Sequence, residues 1–126
     1  MNAIALPRWL YGSVAAFIGA LVLAPSTACA QEIRVAGSKA ETVVQGTVSE
    51  YGRRAEAVLQ ELGVQITERD VDGNDVDLEG RVGDRRVEVE IDDEGGNRVE
   101  IEVKARRNGQ PDPEYARMVL ERILGR

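Results

Sequence analysis

Between residues 75 and 105 the chain alternates apolar and charged positions three times over. Val76, Leu78, Gly80 and Val82 form the first apolar series, Val87, Val89 and Ile91 the second, and Val99, Ile101 and Val103 the third. Asp77, Glu79, Arg81, Glu88, Glu90, Glu100, Glu102 and Lys104 fill the places between them. A period of two with β-branched residues on one side predicts half-buried antiparallel strands. One face of such a sheet is apolar and needs a cover, while the other is charged and meets water.

The periodicity changes elsewhere. Tyr51, Ala55, Val58, Leu59 and Leu62 recur at helical spacing, predicting a helix over Glu50–Leu62 with Ser49 as its N-cap and Gly63 as its left-handed stop. Before it, Thr42–Ser49 reads as a strand; after it, Val64–Asp70 reads as another, with Val64 and Ile66 inward. Turns are expected at Asp72-Gly73-Asn74-Asp75, at Gly83-Asp84 and over Asp93–Asn97. Arg106–Gln110 reads as a polar loop. Asp112-Pro113 opens a last helix, Pro113–Leu124, with Ala116, Val119, Leu120 and Ile123 on its buried stripe. Residues 31–41 show little pattern and read as a short lead-in. The expected fold is an α+β two-layer sandwich in the order β-α-β-β-β-β-α. Its antiparallel sheet has four to five strands and carries two helices on one face.

Residues 1–30 have a different character. Arg8 is their only charged side chain, and Trp9 to Ala24 is an uncharged stretch followed by the helix breaker Pro25. Ala28-Cys29-Ala30 places small residues where a signal peptidase reads them, so the segment reads as an export signal with cleavage leaving Gln31 first. An uncleaved membrane anchor is the bland alternative, though the stretch is short of the roughly 20 residues that a span needs. Ser26-Thr27-Ala28-Cys29 also offers Cys29 as a lipid attachment site. The domain proper is then residues 42–126. Its core must come from Val, Ile, Leu and Ala, because only Tyr51 and Tyr115 remain as aromatics.

The net charge is −6, and loss of the leader with Arg8 deepens it by one. That balance argues against nucleic acid, and against a membrane held by anything but an uncleaved signal or a lipid on Cys29. The chain has no histidine, so the commonest general base, metal ligand and near-neutral switch are missing. Cys29 is the one cysteine, which rules out an internal disulfide.

Few constellations carry chemistry. Asp70, Asp72 and Asn74 begin like a calcium loop, but Asp75 stands where glycine belongs and Arg81 where the bidentate glutamate belongs. No G-x-S-x-G is present, and the hydroxyl residues have no histidine to activate them. No catalytic residue, metal site or cofactor is expected, and the chain reads as a non-enzyme. The acidic sheet face is the most unusual feature, with Glu88, Glu90, Glu100 and Glu102 as its candidate interaction residues. A third turn centred on Gly95 sets Glu90 opposite Glu100 and Glu88 opposite Glu102. A shift of two residues sets Glu88 opposite Lys104 instead. Like charges directly opposed cost a few tenths to about 1 kcal/mol each.

The helix ending Ala57 to Val64 as Ala-Val-Leu-x-x-Leu-Gly-Val is followed by an Asp-Gly turn and an alternating hairpin. Gly95-Gly96-Asn97 then precedes Arg-Val-Glu-Ile-Glu-Val, and a closing helix ends Leu-Glu-Arg-Ile. Over Thr42 to Leu124 this pattern resembles a bacterial family of small uncharacterised envelope lipoproteins, a domain of unknown function. The resemblance implies a strand-helix-meander-helix fold and an exported location, and no activity. Ser26 departs from it, since a leucine is expected three places before a lipidated cysteine. The expectation is a periplasmic accessory or protein-interaction domain of the cell envelope, or a membrane-anchored lipoprotein. A binding module for a small cation, or for an apolar ligand between Tyr51, Leu59, Met118 and the sheet, is the alternative.

Overall fold

The computed structural model describes residues 32–126. The expected export signal and Cys29 lie outside them. The elements run β1 (Arg34–Ala36), β2 (Lys39–Gln45), α1 (Val48–Glu61), β3 (Gln65–Val71), β4 (Asp75–Val82), β5 (Arg85–Gly95), β6 (Arg98–Arg107), β7 (Gln110–Pro111) and α2 (Pro113–Leu124). All strands join one antiparallel sheet in the order β1-β2-β6-β5-β4-β3, and β7 pairs with β6. The α+β class, the two helices and the meander from β3 to β6 are as the alternation predicts.

The strand number is not. Among the described residues the sheet has seven strands, against the four to five expected, because two tight hairpins escape the pattern. Residues 34–41, read as a lead-in, form one of them: Ala36 pairs with Lys39 around Gly37-Ser38. Arg107 pairs with Gln110 around Asn108-Gly109, where φ values of 52° and 79° give the backbone of a two-residue primed turn. Arg106–Gln110 is therefore a hairpin and not a loop.

The helices pack side by side on the apolar face. α1 carries the chain from β2 to the far edge strand β3, touching β3, β4 and β5 on the way, while α2 covers β6, β2 and β1. Thr47, not Ser49, caps α1: its hydroxyl accepts from the Glu50 amide at 3.1 Å. Ser49 lies one residue inside the helix, where its hydroxyl accepts from Arg53 at 2.9 Å. Gly63 closes α1 as expected, its amide reaching Gln60 O while Val64 N reaches Leu59 O. Asp112 caps α2 through the Tyr115 amide, and its other oxygen accepts from Arg85 Nε at 2.8 Å. The Arg85 guanidinium also lies 4.3 Å over the Tyr115 ring, so one arginine on β5 fixes the start of α2.

Leu59, Leu78, Ile91, Ile101, Leu120 and Ile123 are fully buried between the layers. Each contributes on the order of 1.5–3 kcal/mol relative to exposure. Tyr51 and Leu59, proposed as walls of an apolar cavity, are part of this packed core, with Met118 at its edge. Thr42 is buried in the same layer and is satisfied by donating to Glu32 O at 2.7 Å.

Candidate functional site

Register decides what the charged face looks like. The β5–β6 turn is Gly96-Asn97, both at positive φ, and a bulge at Glu94 precedes it. Strand β5 thus runs to Gly95 and does not end in a long acidic loop. Glu88 pairs with Lys104, Glu90 with Glu102 and Asp92 with Glu100. The shifted register is the one adopted, and the pairing of Glu90 with Glu100 and Glu88 with Glu102 is corrected by it. It keeps Val89 opposite Val103 and Ile91 opposite Ile101 on the buried side.

Extended across all strands, this register sorts the charges into rows. Arg34, Glu41, Glu102, Glu90, Asp77 and Asp70 are successive cross-strand partners from β1 to β3. The next row, one step along the strands, holds Lys39, Lys104, Glu88, Glu79 and Glu68. On the other side of the acid row lie Glu100, Asp92 and Asp75. The candidate residues Glu88, Glu90, Glu100 and Glu102 therefore share one face but occupy three different rows. Asp77, Asp70 and Glu41 join them, which strand alternation alone could not reveal because their neighbours depend on pairing.

Cations reach only part of the acid row. Arg34 pairs with Glu41 at 3.3 Å, and Lys39 bridges to Glu102 at 2.8 Å and Glu41 at 3.7 Å. Glu90, Asp77 and Asp70 form no ion pair among the described residues. Their end of the row floors a shallow, open depression of about 260 Å³, walled by Glu68, Glu79, Glu88 and Lys104 and based on Leu78 and Val89.

The electrostatics follow the geometry. Partial burial, with a hydrogen bond to Glu102 and the charges of Glu102, Asp77 and Asp92, pushes the Glu90 carboxyl up to about 6. Burial also pushes Glu102 upward, but hydrogen bonds from Lys39 and Glu90 and the charges of Lys39 and Lys104 outweigh it and leave its carboxyl below the usual range. The two therefore titrate as a pair, with the proton on Glu90 and the charge on Glu102. Burial, followed by neighbouring carboxylates, raises Asp77, Asp75 and Glu100 as well.

Asp70, Asp72 and Asn74, the start of the calcium-like spacing, are separated by the fold. Asp70 belongs to the acid row, while Asp72 folds back on its own turn and accepts from the Asn74 and Asp75 amides. Among the described residues no group of three or more acid, histidine or cysteine side chains is arranged to hold a metal ion. Among the same residues no helix is long and apolar enough to cross a membrane.

A second hollow, of about 280 Å³, lies between α1 and the β3–β4 hairpin, with Val48, Gly52, Val71, Val76 and Leu78 on its walls. Val71 is 60% exposed there. Arg69 points to the same side and donates to both carboxylate oxygens of Glu56 of α1, through Nε and Nη2. The charged arginine and the bulge near Thr67 are features that guard an edge strand against pairing with another chain.

Neither a protein-family model nor a curated protein sequence matches the chain.

Proposed function

We propose that this is an exported, non-enzymatic domain of the bacterial cell envelope that docks a basic protein segment on its outer sheet face. The docking residues are Glu90, Asp77 and Asp70, with Glu102 and Glu68 beside them. One observation carries the reading: these acids sit shoulder to shoulder across four strands, and Glu90, Asp77 and Asp70 form no ion pair among the described residues. Each directly opposed pair costs the fold a little stability. A partner's lysines or arginines would relieve that cost. Export, by cleavage before Gln31 or by a lipid on Cys29, rests on the leader composition.

The test is site-specific photo-crosslinking in the periplasm. A crosslinker replacing Glu90 should capture a defined partner, and one replacing Glu114 on the exposed side of α2 should not. The Glu90 adduct should fade when Asp77 and Glu102 are both changed to Gln. Equal capture from both positions, or none from position 90, contradicts the reading.

The hollow beside Val71 favours a second reading, an apolar ligand bound between α1 and β3. A hydrophobic dye that binds the protein and is lost in Val71→Ser but not in Glu90→Gln would support it over the first.

A further inference from the structure

The register that gathers the acids also gathers arginines. At the end of the sheet carrying the Gly83-Asp84 and Asn108-Gly109 turns, Arg81 of β4 pairs with Arg86 of β5, and Arg86 pairs with Arg106 of β6. In sequence Arg106 lies well beyond Arg81 and Arg86, with a run of acids between, yet on the face the three stand in file. Three adjacent strands set them across roughly 10 Å. Arg86 is engaged by Glu79 and lies 3.9 Å from Glu88. Arg81 and Arg106 form no ion pair and no side-chain hydrogen bond among the described residues. Lys104 joins Arg86, Arg106 and Glu88 around a hollow of about 140 Å³. Four cations against two acids make this a locally positive patch on an acidic protein.

Arg85 and Arg107 show what a structural arginine looks like at the same end of the sheet. They too are cross-strand partners. Yet each has its own carboxylate, Asp112 at 2.8 Å for Arg85 and Asp84 at 3.2 Å for Arg107. Arg81 and Arg106 lack this. Opposed like charges without counterions are unfavourable on a sheet, and a guanidinium fork suits the tetrahedral oxygens of a phosphate better than a single ammonium does.

We propose that Arg81, Arg86 and Arg106, with Lys104 beside them, bind a multiply charged oxyanion of the phosphate class. The site lies beyond the acid row, and its occupancy is independent of whether that row docks a partner. The phosphate can belong to a soluble ligand or to an anionic lipid headgroup.

The experiment is calorimetric titration of the purified protein with pyrophosphate, beside sedimentation with vesicles of cardiolipin, whose headgroup carries two phosphates, in phosphatidylcholine. Sodium chloride at matched ionic strength is the screening control. Arg81→Ala/Arg106→Ala should weaken binding about tenfold or more, as loss of charge-assisted hydrogen bonds does. Arg81→Lys/Arg106→Lys, which keeps the charge and loses the fork, should fall between. Arg98→Ala, at the far end of the same face, should bind as the parent does, and circular dichroism should show every variant folded. Pyrophosphate binding assigns a soluble source, and vesicle binding alone assigns a headgroup; both support the site. Absence of binding to either probe, equal binding by the double alanine variant, or full reproduction by sodium chloride overturns it.

Discussion

Glu90 of β5 stands directly opposite Glu102 of β6 on the wet face of the sheet, and each carboxyl shifts the other's titration. Two carboxylates so placed cannot both be ionised cheaply. The proton goes to Glu90 because Lys39 holds the charge on Glu102 at 2.8 Å. Since the folded chain holds the Glu90 proton more tightly than an unfolded chain does, its ionisation opposes folding. That opposition is full above about 6 and fades as pH falls toward the ordinary glutamate value. Glu102 has the reverse sign: its favourable charge is present above the ordinary glutamate value and is lost as pH falls below it. Thermal unfolding should therefore show a melting temperature that rises from pH 7.5 to about pH 5 and declines at lower pH. A steady fall from pH 7.5 downward would contradict this.

Substitution at the two positions should move stability in opposite directions. Glu90→Gln removes a like charge and keeps the hydrogen-bonding shape. At pH 7.5 it should stabilise by a few tenths to about 1 kcal/mol after solvent screening. That corresponds to roughly 1–6 °C in a domain of this size. Glu102→Gln takes from Lys39 its nearer carboxylate, leaving Glu41 at 3.7 Å, and should lower the melting temperature by a similar amount. The rise from pH 7.5 to pH 5 should flatten in Glu90→Gln.

Gly80 sits on the apolar side of β4, where an added Cβ would come within 2.6 Å of both Gln65 O and Val64 Cγ1. One of those neighbours is backbone and cannot rotate away. Gly80→Ala should cost about 2 kcal/mol or more, as overpacking does. Gly73→Ala, with open space around it and an ordinary φ, should cost much less. Urea unfolding of the two variants makes the comparison.

The two hydroxyls near the start of α1 separate cap from bystander. Thr47→Ala should cost about 1 kcal/mol, because it leaves the Glu50 amide without its acceptor. Ser49→Ala loses only a surface contact with Arg53 and should stay within about 0.5 kcal/mol of the parent. Equal losses in chemical denaturation would contradict this separation, and a larger loss in Ser49→Ala would place the cap there.

The alternation of Val87, Val89 and Ile91 with Glu88 and Glu90 announced the strand, its buried side and its wet side. The stripe Ala116, Val119, Leu120, Ile123 and the Asp112-Pro113 start did the same for α2. What alternation cannot announce is which residue lies across the gap. That depends on turn geometry, and the Gly96-Asn97 turn with its bulge moved the pairing by two residues. The acid row and the arginine row follow from that step. β1 has three residues, too few to show a period, although Gly37-Ser38 is hairpin chemistry. Asn108-Gly109 is a strong two-residue hairpin signal, but Pro111 limits its second strand to two residues, too short to show alternation.

Carboxyl carbon chemical shifts of Glu90 and Glu102, followed by NMR from pH 8 to pH 3, test the sorted face most directly. Glu90 should titrate near 6, Glu102 below the ordinary value, and each should report the other's transition. Two independent transitions at the ordinary glutamate value would mean that the pair is not opposed and that the acid row does not exist.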